Sequence, residues 1–358
     1  MRRSLIITPA GINCNLRCDY CYNKSSVVTE RSIMDERVLE RLIESSFFEN
    51  NTRFIWHGGE PLLAGKEFFR KILQLQKQYG RGNPFVNCIQ TNCTLVDEEW
   101  ATLLVENNFY ISTSIDGDEE LHNLHRKATG GNGSYKNVMR GVQILLKHGC
   151  KRVGTVLVIN KDNVKYPERI FNEIIKSWPA GFEPNPCFKT KKGGEEFMPP
   201  SKELLNFLKI LFDRWWAADK PKFHIRIFKD IIRVLMGGFP LDCTLKMDGC
   251  RYITAIDEKG DVYICSRFLK EKDAHLGNVL ERNLKDIVYS STSKAIYDEM
   301  SELNEECKKC EWLKFCGGGC AYQRWITGDV RSKYYACEVR KELFDYIAVK
   351  MRAYLIST

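Results

Sequence analysis

Cysteine is the residue type that most constrains how this chain can fold. The sequence of 358 residues contains 15 cysteines, and most of them fall in two groups, one near each end. The stretch from Met1 to Pro9 turns polar too early for a secretory signal peptide, so a secreted disulfide scaffold is not expected. We therefore interpret the chain as a cytoplasmic protein whose cysteines mostly bind metal.

Short apolar runs alternate with amphipathic stretches of helix length through the first two-thirds of the chain. The runs predict strands at 5–8, 53–57, 85–90, 110–115, 152–159 and 182–188, and the stretches predict helices at 35–48, 67–79, 97–107, 135–148 and 166–177. Parallel strands joined by crossover helices produce this alternation. The sequence therefore predicts an α/β fold, an open or partial barrel with its sites at the carboxyl ends of the strands.

The alternation ends near residue 190, where a surface loop rich in lysine, glycine and proline begins. Helices are predicted at 202–217 and 228–236, and beyond Gly237 cysteines crowd the chain and helices are scarce until Glu338. We predict two domains, a barrel over 1–236 with a helical linker at about 190–236, and a loop-rich domain with a C-terminal helix over 237–358. Such a region buries little apolar surface, so bound metal is expected to stabilise it.

The first cysteine group, Cys14, Cys18 and Cys21, has the spacing C-x3-C-x2-C and directly follows the first predicted strand. Three thiolates can hold three corners of a four-iron cluster and leave one iron open to bind a substrate or cosubstrate. A zinc site is the alternative, and His57 in the adjacent strand is its obvious fourth ligand. The three cysteines alone do not decide between the two.

The segment Cys14-Asn-Leu-Arg-Cys18-Asp-Tyr-Cys21 resembles the signature of radical S-adenosylmethionine (SAM) enzymes, including the aromatic Tyr20 before the third cysteine. In that family the open iron chelates the methionine moiety of SAM. Reductive cleavage then gives a 5′-deoxyadenosyl radical that abstracts hydrogen. The resemblance implies a partial (β/α)6 barrel similar to the TIM barrel, with SAM and one [4Fe–4S] cluster as its cofactors.

Two further motifs of that family stand at the ends of the second and third predicted strands. Gly58, Gly59 and Glu60 resemble its GGE motif, in which glycines let the backbone approach the methionine amino group. Residues 90–92 stand where many relatives have QTNG, and the fourth position here is Cys93. By its place at the barrel mouth, Cys93 is a candidate for substrate contact.

Further cofactor contacts are implied by the resemblance alone. Ser114 ends the fourth strand and Arg126 follows it, and the two would contact the ribose and the carboxylate of SAM. Phe188 ends the sixth strand and would stack near the adenine. The adjacent pair Asp116-Gly117 is also a common turn sequence, so this region could be a structural turn only. Motifs in order at four strand ends favour the cofactor site.

The second cysteine group follows residue 237 and comprises Cys243, Cys250, Cys265, Cys307, Cys310, Cys316, Cys320 and Cys337. Residues 254–265 predict a hairpin with its turn at 258–261, which would bring Cys250 and Cys265 together. Eight cysteines are the number that two fully ligated four-iron clusters need. Two zinc sites would use the same number.

This array resembles the SPASM extension of radical SAM enzymes that mature peptides and proteins. The resemblance implies that one auxiliary cluster is held by Cys243, Cys250, Cys265 and Cys320. It implies that the second auxiliary cluster is held by Cys307, Cys310, Cys316 and Cys337. Fully ligated clusters do not readily bind substrate, so we expect electron transfer or structural support from them. The chain would then carry three [4Fe–4S] clusters.

The basic charge of the chain says little about nucleic acids once the clusters are counted. Eleven thiolates and three four-iron cores of about +2 each add about −5 to the formal charge of +8, which leaves about +3. We therefore expect no nucleic-acid partner. No apolar run reaches the length of about 18 residues that a transmembrane helix needs, so we expect no membrane partner. The resemblance implies an external one-electron reductant of the flavodoxin or ferredoxin type.

Four cysteines lie outside the implied ligand sets. We expect Cys150 to be an inert thiol that is buried or at an edge, and Cys88 and Cys187 to face the core from predicted strands. Cys93, as stated, is the exception. Epimerisation of a peptide would need a hydrogen donor, and Cys93 or Cys187 keeps that reaction open.

Two groups of maturases resemble the chain most. The anaerobic sulfatase-maturating enzymes, which form formylglycine, share the residues of 121–126, the 68–78 helix and the cysteine spacing. They carry an aspartate after the third extension cysteine, taken as the general base, whereas this chain has Ser266. A serine hydroxyl is not a base near neutral pH without help, so Ser266 is only a candidate catalytic residue.

The second group matures ribosomal peptides, and the segment Trp56–Gly65 resembles its members that build carbon–carbon links. A carbon radical that attacks a neighbouring ring needs less help from a base than alcohol oxidation does. We therefore predict an oxidoreductase that cross-links a precursor peptide, with formylglycine formation in a sulfatase as the alternative. Thioether formation and epimerisation stay open. An iron–sulfur electron-transfer module is the non-enzyme alternative, and SAM cleavage would distinguish it.

Overall fold

The computed structural model describes residues 3–23, 32–49, 51–218 and 224–357. Residues 1 and 2, which belong to the stretch tested for a signal peptide, lie outside this range. The chain forms two compact units. Unit one comprises Met1–Ser114, Arg126–Val153 and Cys250–Met300, and unit two comprises Ile115–His125, Gly154–Gly249 and Ser301–Thr358.

In the described residues the strands are β1 (Ser4–Ile7), β2 (Thr52–Trp56), β3 (Phe85–Gln90), β4 (Tyr110–Ser114), β5 (Val153–Ile159), β6 (Gly181–Pro186), β7 (His224–Ile225), β8 (Ile253–Ile256), β9 (Asp261–Tyr263) and β10 (His275–Asn278). The helices are α1 (Glu36–Glu44), α2 (Lys66–Gly80), α3 (Glu98–Glu106), α4 (Glu119–His125), α5 (Tyr135–Lys147), α6 (Pro167–Ser177), α7 (Ser201–Ala217), α8 (Arg226–Leu235), α9 (Leu284–Val288), α10 (Ser291–Met300), α11 (Glu305–Lys308), α12 (Leu313–Cys316), α13 (Ala321–Trp325) and α14 (Cys337–Ser357).

Unit one is built on a sheet with the strand order β10-β9-β8-β1-β2-β3-β4. Strand β1 pairs in parallel with β2 on one side and with β8 on the other, so that Leu5 lies beside Phe54 and Thr254. The pairs β2–β3 and β3–β4 are also parallel. Five carboxyl ends of strands therefore meet at one edge of this sheet, which is where a parallel α/β fold places its ligands.

The core of unit one explains why these segments form strands and helices. Leu5, Ile7, Phe54 and Trp56 alternate with more exposed residues and are at most 1% exposed. The indole nitrogen of Trp56 donates to the Asn87 amide oxygen at 3.0 Å, so this buried polar group is paired. Helices α1 and α3 begin after Asp35 and Asp97, whose carboxylates accept from the backbone N–H groups of Arg37 and Trp100.

Unit two contains the parallel strands β5, β6 and β7 and the long helices α7 and α14, which pack together. An aromatic cluster around Phe212 fills its core, with the ring of Phe228 edge-on at 5.3 Å between centroids. Within the described ranges, no helix is long and apolar enough to cross a membrane.

The predicted α/β fold with a parallel sheet is confirmed, and each of the six predicted strands lies within two residues of an observed one. The predicted hairpin is also present, because β8 and β9 are antiparallel and Gly260 N–H closes the turn onto the Asp257 carbonyl at 3.1 Å. The sequence did not predict α4, the short helices α9 to α13, or the strands β7 and β10, and it did not predict that β8 pairs with β1. The domain boundary at 236/237 stays a prediction.

Candidate metal and cofactor sites

The first cysteine group lies in the loop that follows β1. The backbone N–H of Cys21 donates to the Cys18 carbonyl at 3.2 Å, and the Cys14 sulfur accepts from Leu16 N–H at 3.4 Å. A second donor, Asn92 Nδ2, lies 3.7 Å from the same sulfur. Burial raises the pKa of the Cys14 thiol to about 11, and nearby Glu60 and Cys21 add to the rise against these two donors. Three half-buried thiols in one loop fit three corners of a four-iron cluster.

The end of β2 is held against this loop by backbone contacts. Gly59 N–H donates to the Gly11 carbonyl at 3.0 Å, and Glu60 N–H donates to the Asn13 carbonyl at 2.7 Å. A Cβ on Gly59 would lie 2.0 Å from the Asn13 oxygen, and one on Gly58 would lie 2.4 Å from the Gly11 oxygen. Both glycines are therefore required by the close approach of two backbones. Their predicted contact with SAM stays a prediction.

Glu60 ties the end of β2 to the end of β3. Its carboxylate is fully buried and accepts from Thr91 Oγ1 at 2.8 Å, from Asn92 N–H at 2.7 Å and from Leu62 N–H at 3.0 Å. Burial raises the pKa of Glu60 to about 7, although all three donors lower it. Both of its oxygens are engaged by protein donors, so its predicted role at the cofactor stays a prediction and its observed role is to hold the motif together.

Residues 92–94 form a turn that connects Glu60 to the first cysteine loop through hydrogen bonds of Asn92. Asn92 Nδ2 donates to Asn15 Oδ1 at 2.8 Å, and Asn92 Oδ1 accepts from the Thr94 hydroxyl at 2.7 Å. Cys93 has a φ of +64°, in the left-handed region that glycine favours. Many relatives have glycine at this position, as the last residue of QTNG, and that glycine is the sequence feature that indicates a left-handed conformation here.

Cys93 does not lie open at the barrel mouth. Its side chain is fully buried, and its sulfur lies 2.9 Å from where a Cβ on Gly141 of α5 would stand. The expectation that Cys93 contacts a substrate is therefore corrected, because a thiol packed against a helix cannot reach one. Cys150 and Cys187 are buried as expected, at 6% and 4% exposure, whereas Cys88 is half-buried.

Of the implied SAM contacts in unit one, Tyr20 and Arg126 lie together. The guanidinium carbon of Arg126 is 5.6 Å from the centroid of the Tyr20 ring, within cation–π range. Ser114 ends β4, and its hydroxyl accepts from Gln90 Nε2 at 3.0 Å. Phe188 lies in unit two, edge-on to the ring of Tyr322 at 6.2 Å. The roles of these four residues toward SAM stay predictions.

His57, the alternative zinc ligand, directly follows β2 and has a neutral ring. Burial lowers the pKa of His57 to about 4, and its Nδ1 accepts from Gly58 N–H at 2.6 Å. One of its two ring nitrogens is thus occupied by the motif itself. The structure gives no support to a zinc role for His57.

Ser266 has a partner that the sequence analysis missed. Its hydroxyl shares a hydrogen bond with that of Tyr22, and Tyr22 interacts electrostatically with Cys21 and Cys265. Burial raises the pKa of Tyr22 to about 12, so its phenol stays protonated near neutral pH. The pair is a short chain of two neutral hydroxyls, and neither one is a base. Its only sequence signal was the tyrosine directly after the third cysteine.

Unit two brings the predicted ligands of the second auxiliary cluster together. Burial raises the pKa of the Cys307 thiol, and negative charge on Cys316 and Cys310 raises it further. The Cys337 thiol also has a raised pKa, from burial first and then in part from Cys316. Cys310 N–H donates to the Cys307 carbonyl at 3.1 Å. Cys307 thus interacts with Cys310 and Cys316, and Cys316 with Cys337, which fits four ligands of one four-iron cluster.

The chain between Cys316 and Cys320 is three glycines in a left-handed conformation. Gly317, Gly318 and Gly319 have φ values of +60°, +79° and +78°. A Cβ on them would lie 2.3 Å from the Lys246 backbone, 2.3 Å from the Leu303 side chain and 2.5 Å from the Tyr334 ring. Only glycine fits all three positions, so this run sets how Cys316 and Cys320 are presented.

Two arginines accompany this second group. The Arg340 guanidinium lies 3.8 Å from the Cys316 sulfur and donates to the Thr244 carbonyl at 2.8 Å. Arg324 is only 2% exposed, donates to the Glu302 carbonyl at 2.5 Å and lowers the pKa of Cys307 electrostatically. Neither arginine was predicted from the sequence as part of this site.

The other four cysteines of the second cysteine group are divided between the two compact units. Cys250 and Cys265 belong to unit one, and Cys243 and Cys320 belong to unit two. Within the described residues no disulfide joins any two cysteines. The assignment of these four to one auxiliary cluster stays a prediction.

Comparison with known proteins gives the family. Residues 9–174 match the Radical SAM superfamily, and residues 249–311 match SPASM, an iron-sulfur cluster-binding domain. The serine-type anaerobic sulfatase-maturating enzyme of Bacteroides thetaiotaomicron is 32% identical over 97% of this chain and 90% of its own length. This chain belongs to the SPASM-bearing radical SAM enzymes. Its cofactors are accordingly SAM and [4Fe–4S] clusters, and the zinc alternatives fall away.

Two more proteins extend the similarity. The cysteine-type anaerobic sulfatase-maturating enzyme of Clostridium perfringens is 31% identical over 96% of this chain and 95% of its own length. The solved structure of native anSMEcpe with bound AdoMet and Kp18Cys peptide has a TM-score of 0.88 at 28% identity and covers 100% of both chains.

These comparisons correct the predicted activity. The chain is a radical SAM enzyme and not only an electron carrier. The prediction that it cross-links a ribosomal peptide is wrong, because the full-length relatives at 31–32% identity are sulfatase-maturating enzymes. The resemblance of Trp56–Gly65 to cross-linking maturases does not distinguish one reaction from another, since this segment contains the GGE motif of the whole superfamily. The reductant, the cytoplasmic location and the absence of nucleic-acid and membrane partners stay predictions.

Proposed function

We propose that this chain is an anaerobic sulfatase-maturating enzyme, which oxidises a cysteine or serine side chain of a sulfatase peptide to formylglycine. The observation that carries the proposal is similarity to two such enzymes at 31–32% identity over nearly the whole length of each. That similarity extends through both the barrel and the SPASM region. A solved relative with a bound peptide supports a peptide or protein substrate.

The first cysteine loop supports this reaction through its bracing. When bound, SAM and its cluster supply the radical that removes a hydrogen atom from the substrate. Cys14, Cys18 and Cys21 would hold that cluster, and Glu60 with Asn92 fixes the loop that carries them. Tyr20, Ser114 and Arg126 would position SAM. These protein groups orient the cofactor and do not themselves change oxidation state.

The substrate side chain loses two electrons and two protons in all. From serine this gives the aldehyde directly. From cysteine it gives a thioaldehyde, and water then replaces the sulfur, which leaves as hydrogen sulfide. One hydrogen atom leaves with the radical, one proton leaves to a base or to solvent, and one electron leaves to an acceptor, for which the auxiliary clusters are the candidates.

Ser266 leads us to propose that a cysteine is the preferred target. By the resemblance described above, sulfatase-maturating relatives carry an aspartate at this position. In this chain the neutral hydroxyls of Ser266 and Tyr22 are hydrogen-bonded to each other instead. A cysteine thiol has a pKa of about 8.5 and loses its proton to water far more readily than a serine hydroxyl does. A site without a carboxylate therefore handicaps serine oxidation more than cysteine oxidation.

The test uses two sulfatase peptides that differ only in a cysteine or a serine at the target position. Each is incubated anaerobically with reconstituted enzyme, SAM and reductant, and products are followed by mass spectrometry with and without a hydrazide probe. We expect a probe-reactive aldehyde, formed faster from the cysteine peptide. A Cys18→Ala variant serves as the control without SAM chemistry.

Two outcomes would count against the proposal. A product that has lost two hydrogens but does not react with the probe contradicts formylglycine formation. Equal rates on the two peptides contradict the cysteine preference alone. The variant Ser266→Asp sharpens the second point, because a restored carboxylate should raise the rate on the serine peptide more than the rate on the cysteine peptide.

A further inference from the structure

Both cations and carboxylates lie near the cysteines of the second auxiliary group, Glu306 beside Cys307 and Glu338 beside Cys337. Lys333 and Lys341 lower the pKa of Cys337 electrostatically, and Arg324 does the same for Cys307. Both lysines are paired with carboxylates: Lys333 lies 2.6 Å from Glu306 and 2.7 Å from Glu338, and Lys341 lies 3.6 Å from Glu338. The two arginines differ from the lysines in their partners.

Arg340 is the cation whose hydrogen bonds point directly at a ligand sulfur. Its Nη1 lies 3.8 Å from Cys316 Sγ and 2.8 Å from the Thr244 carbonyl, and its Nη2 lies 3.2 Å from Thr244 Oγ1. The ring of Tyr334 packs against it, with the guanidinium carbon 4.5 Å from the ring centroid. None of these four partners is a carboxylate.

The acidic residue that acts on Arg340 from farther away is committed elsewhere. Burial raises the pKa of Asp242, but Arg226, the hydrogen bonds from Thr244 and, more weakly, Arg340 lower it below its usual value. Its carboxylate lies 3.1 Å from Arg226 Nη2 and accepts from Thr244 N–H at 2.7 Å. A buried guanidinium held by a carbonyl, a hydroxyl and an aromatic face still needs a negatively charged partner. The Cys316 sulfur, 3.8 Å from Arg340 Nη1, can supply that negative charge as a thiolate.

We propose that Arg340 is the electrostatic partner of the second auxiliary cluster and raises its reduction potential. The proposal rests on Cys307, Cys310, Cys316 and Cys337 being the ligands of that cluster. Four thiolates around a four-iron core leave a net negative charge that grows by one on reduction. A fixed cation that also donates to a ligand sulfur stabilises the reduced state more than the oxidised state, so the cluster accepts an electron more easily.

The test measures that potential without substrate, so that its outcome does not depend on the proposed reaction. The protein used is the full chain with Cys14, Cys18 and Cys21 replaced by alanine, which leaves the auxiliary clusters. Redox titration followed by electron paramagnetic resonance gives their potentials. The signal of the second cluster is the one lost when Cys316→Ala is added, and iron content shows whether these ligands are assigned correctly.

We expect Arg340→Gln to lower the potential of this cluster while iron content stays unchanged. Arg340→Lys keeps the charge but cannot donate to Cys316 and Thr244 together. The cluster potential in this variant should therefore lie between that of the protein with Arg340 and that of Arg340→Gln. The matched control is Arg331→Gln. Arg331 is an exposed arginine of the same unit, paired with Asp329 at 3.0 Å, and its loss changes the net charge equally. We expect no shift from it.

Three results would overturn the proposal. The first is an unchanged potential in Arg340→Gln with full iron content. The second is an equal shift in Arg331→Gln, which would reduce the effect to overall charge. The third is loss of the second cluster from both Arg340→Gln and Arg340→Lys, which would make Arg340 a structural residue. Retention of iron in the Cys316→Ala variant would instead refute the ligand assignment, separately from the role of Arg340.

Discussion

The loop that holds the first cysteine group and the region that holds the second place the same residue type in different surroundings. Near Cys14 the charged neighbour is the carboxylate of Glu60, and the side-chain donor is the neutral amide of Asn92. Around Cys307, Cys316 and Cys337 the neighbours include Lys333, Lys341, Arg324 and Arg340, together with the carboxylates of Glu306 and Glu338. A negative environment favours the oxidised state of a cluster and a positive one favours the reduced state. The proposal for Arg340 therefore predicts that a cluster at the second site receives an electron more readily than one at the first.

The two regions also differ in how they are made rigid. The first loop is braced by the ends of parallel strands, through backbone contacts at Gly59 and the buried carboxylate of Glu60. The second depends on short helices, a run of three left-handed glycines and hydrogen bonds from arginine to carbonyl groups. A sheet fixes the first site before metal binds, whereas the second has less to hold it without its metal.

The largest expected effect comes from removing one thiol from each group. Cys18→Ala should abolish 5′-deoxyadenosine formation and leave most of the iron, because only the first cluster loses a ligand. Cys310→Ala should lose iron and retain SAM cleavage. Both are followed by iron analysis and chromatography of the nucleoside. Cys150→Ala, at a buried thiol outside both groups, is the control, and a loss of iron from it would contradict the grouping.

A methyl group at Gly59 should break the first region next most severely. Its Cβ would lie 2.0 Å from the Asn13 carbonyl oxygen, so the loop must move. We expect Gly59→Ala to cost about 3 kcal/mol in the free energy of unfolding and to weaken SAM binding. Gly130→Ala is the matched control in the same unit, since nothing lies within 4 Å of its Cβ. Equal stability of the two variants would show that the approach of the two backbones is not needed.

Replacing the Glu60 carboxylate should have a smaller effect. In Glu60→Gln one carboxylate oxygen becomes an N–H2 group that faces donors, so at least one of its three hydrogen bonds is lost. We expect a cost of about 2 kcal/mol in chemical denaturation, and a higher KM for SAM. The exposed Glu67 of α2 gives the control Glu67→Gln, which should change stability by less than about 0.5 kcal/mol. An unaffected Glu60→Gln variant would remove Glu60 from the bracing of this site.

The smallest effect is expected at Cys93. Glycine would relieve the positive φ by about 1 kcal/mol and lose a buried thiol of similar value, so Cys93→Gly should be close to neutral. Cys93→Ala keeps the strain without the sulfur and should be the less stable of the two in denaturant titrations. SAM cleavage and aldehyde formation should be unchanged in both. A large loss of activity with normal folding would return Cys93 to the catalytic candidates.

The parts of the fold that follow from local pattern could be predicted from the sequence. Alternation of apolar residues located β2 and β3 within one residue, and the motifs at strand ends located Cys14, Glu60 and Ser114 correctly on the chain. Helices such as α9 were missed because five residues give too little periodicity to distinguish from a loop.

Other features depend on what the chain brings together and not on local pattern. The pairing of β1 with β8 joins residues 4 and 253, and no periodicity specifies a partner so distant. Arg340 stands three residues after Cys337 on a helix, yet it contacts Cys316. Ser266 was a candidate residue from the sequence, but its hydrogen bond to Tyr22 was not predicted. That bond depends on how the β8–β9 hairpin and the first cysteine loop are arranged in three dimensions.

The pairing of β1 with β8 also has a consequence for biosynthesis. The first strand of the chain emerges from the ribosome about 250 residues before the strand that covers its free side. At about 5–20 residues per second that interval is on the order of tens of seconds. During this time one edge of β1 stays open to pairing with other nascent chains. A truncation after residue 236 would remove β8 and make that exposure permanent, so we expect the isolated N-terminal fragment to aggregate, because its sheet is completed by a strand from much later in the chain.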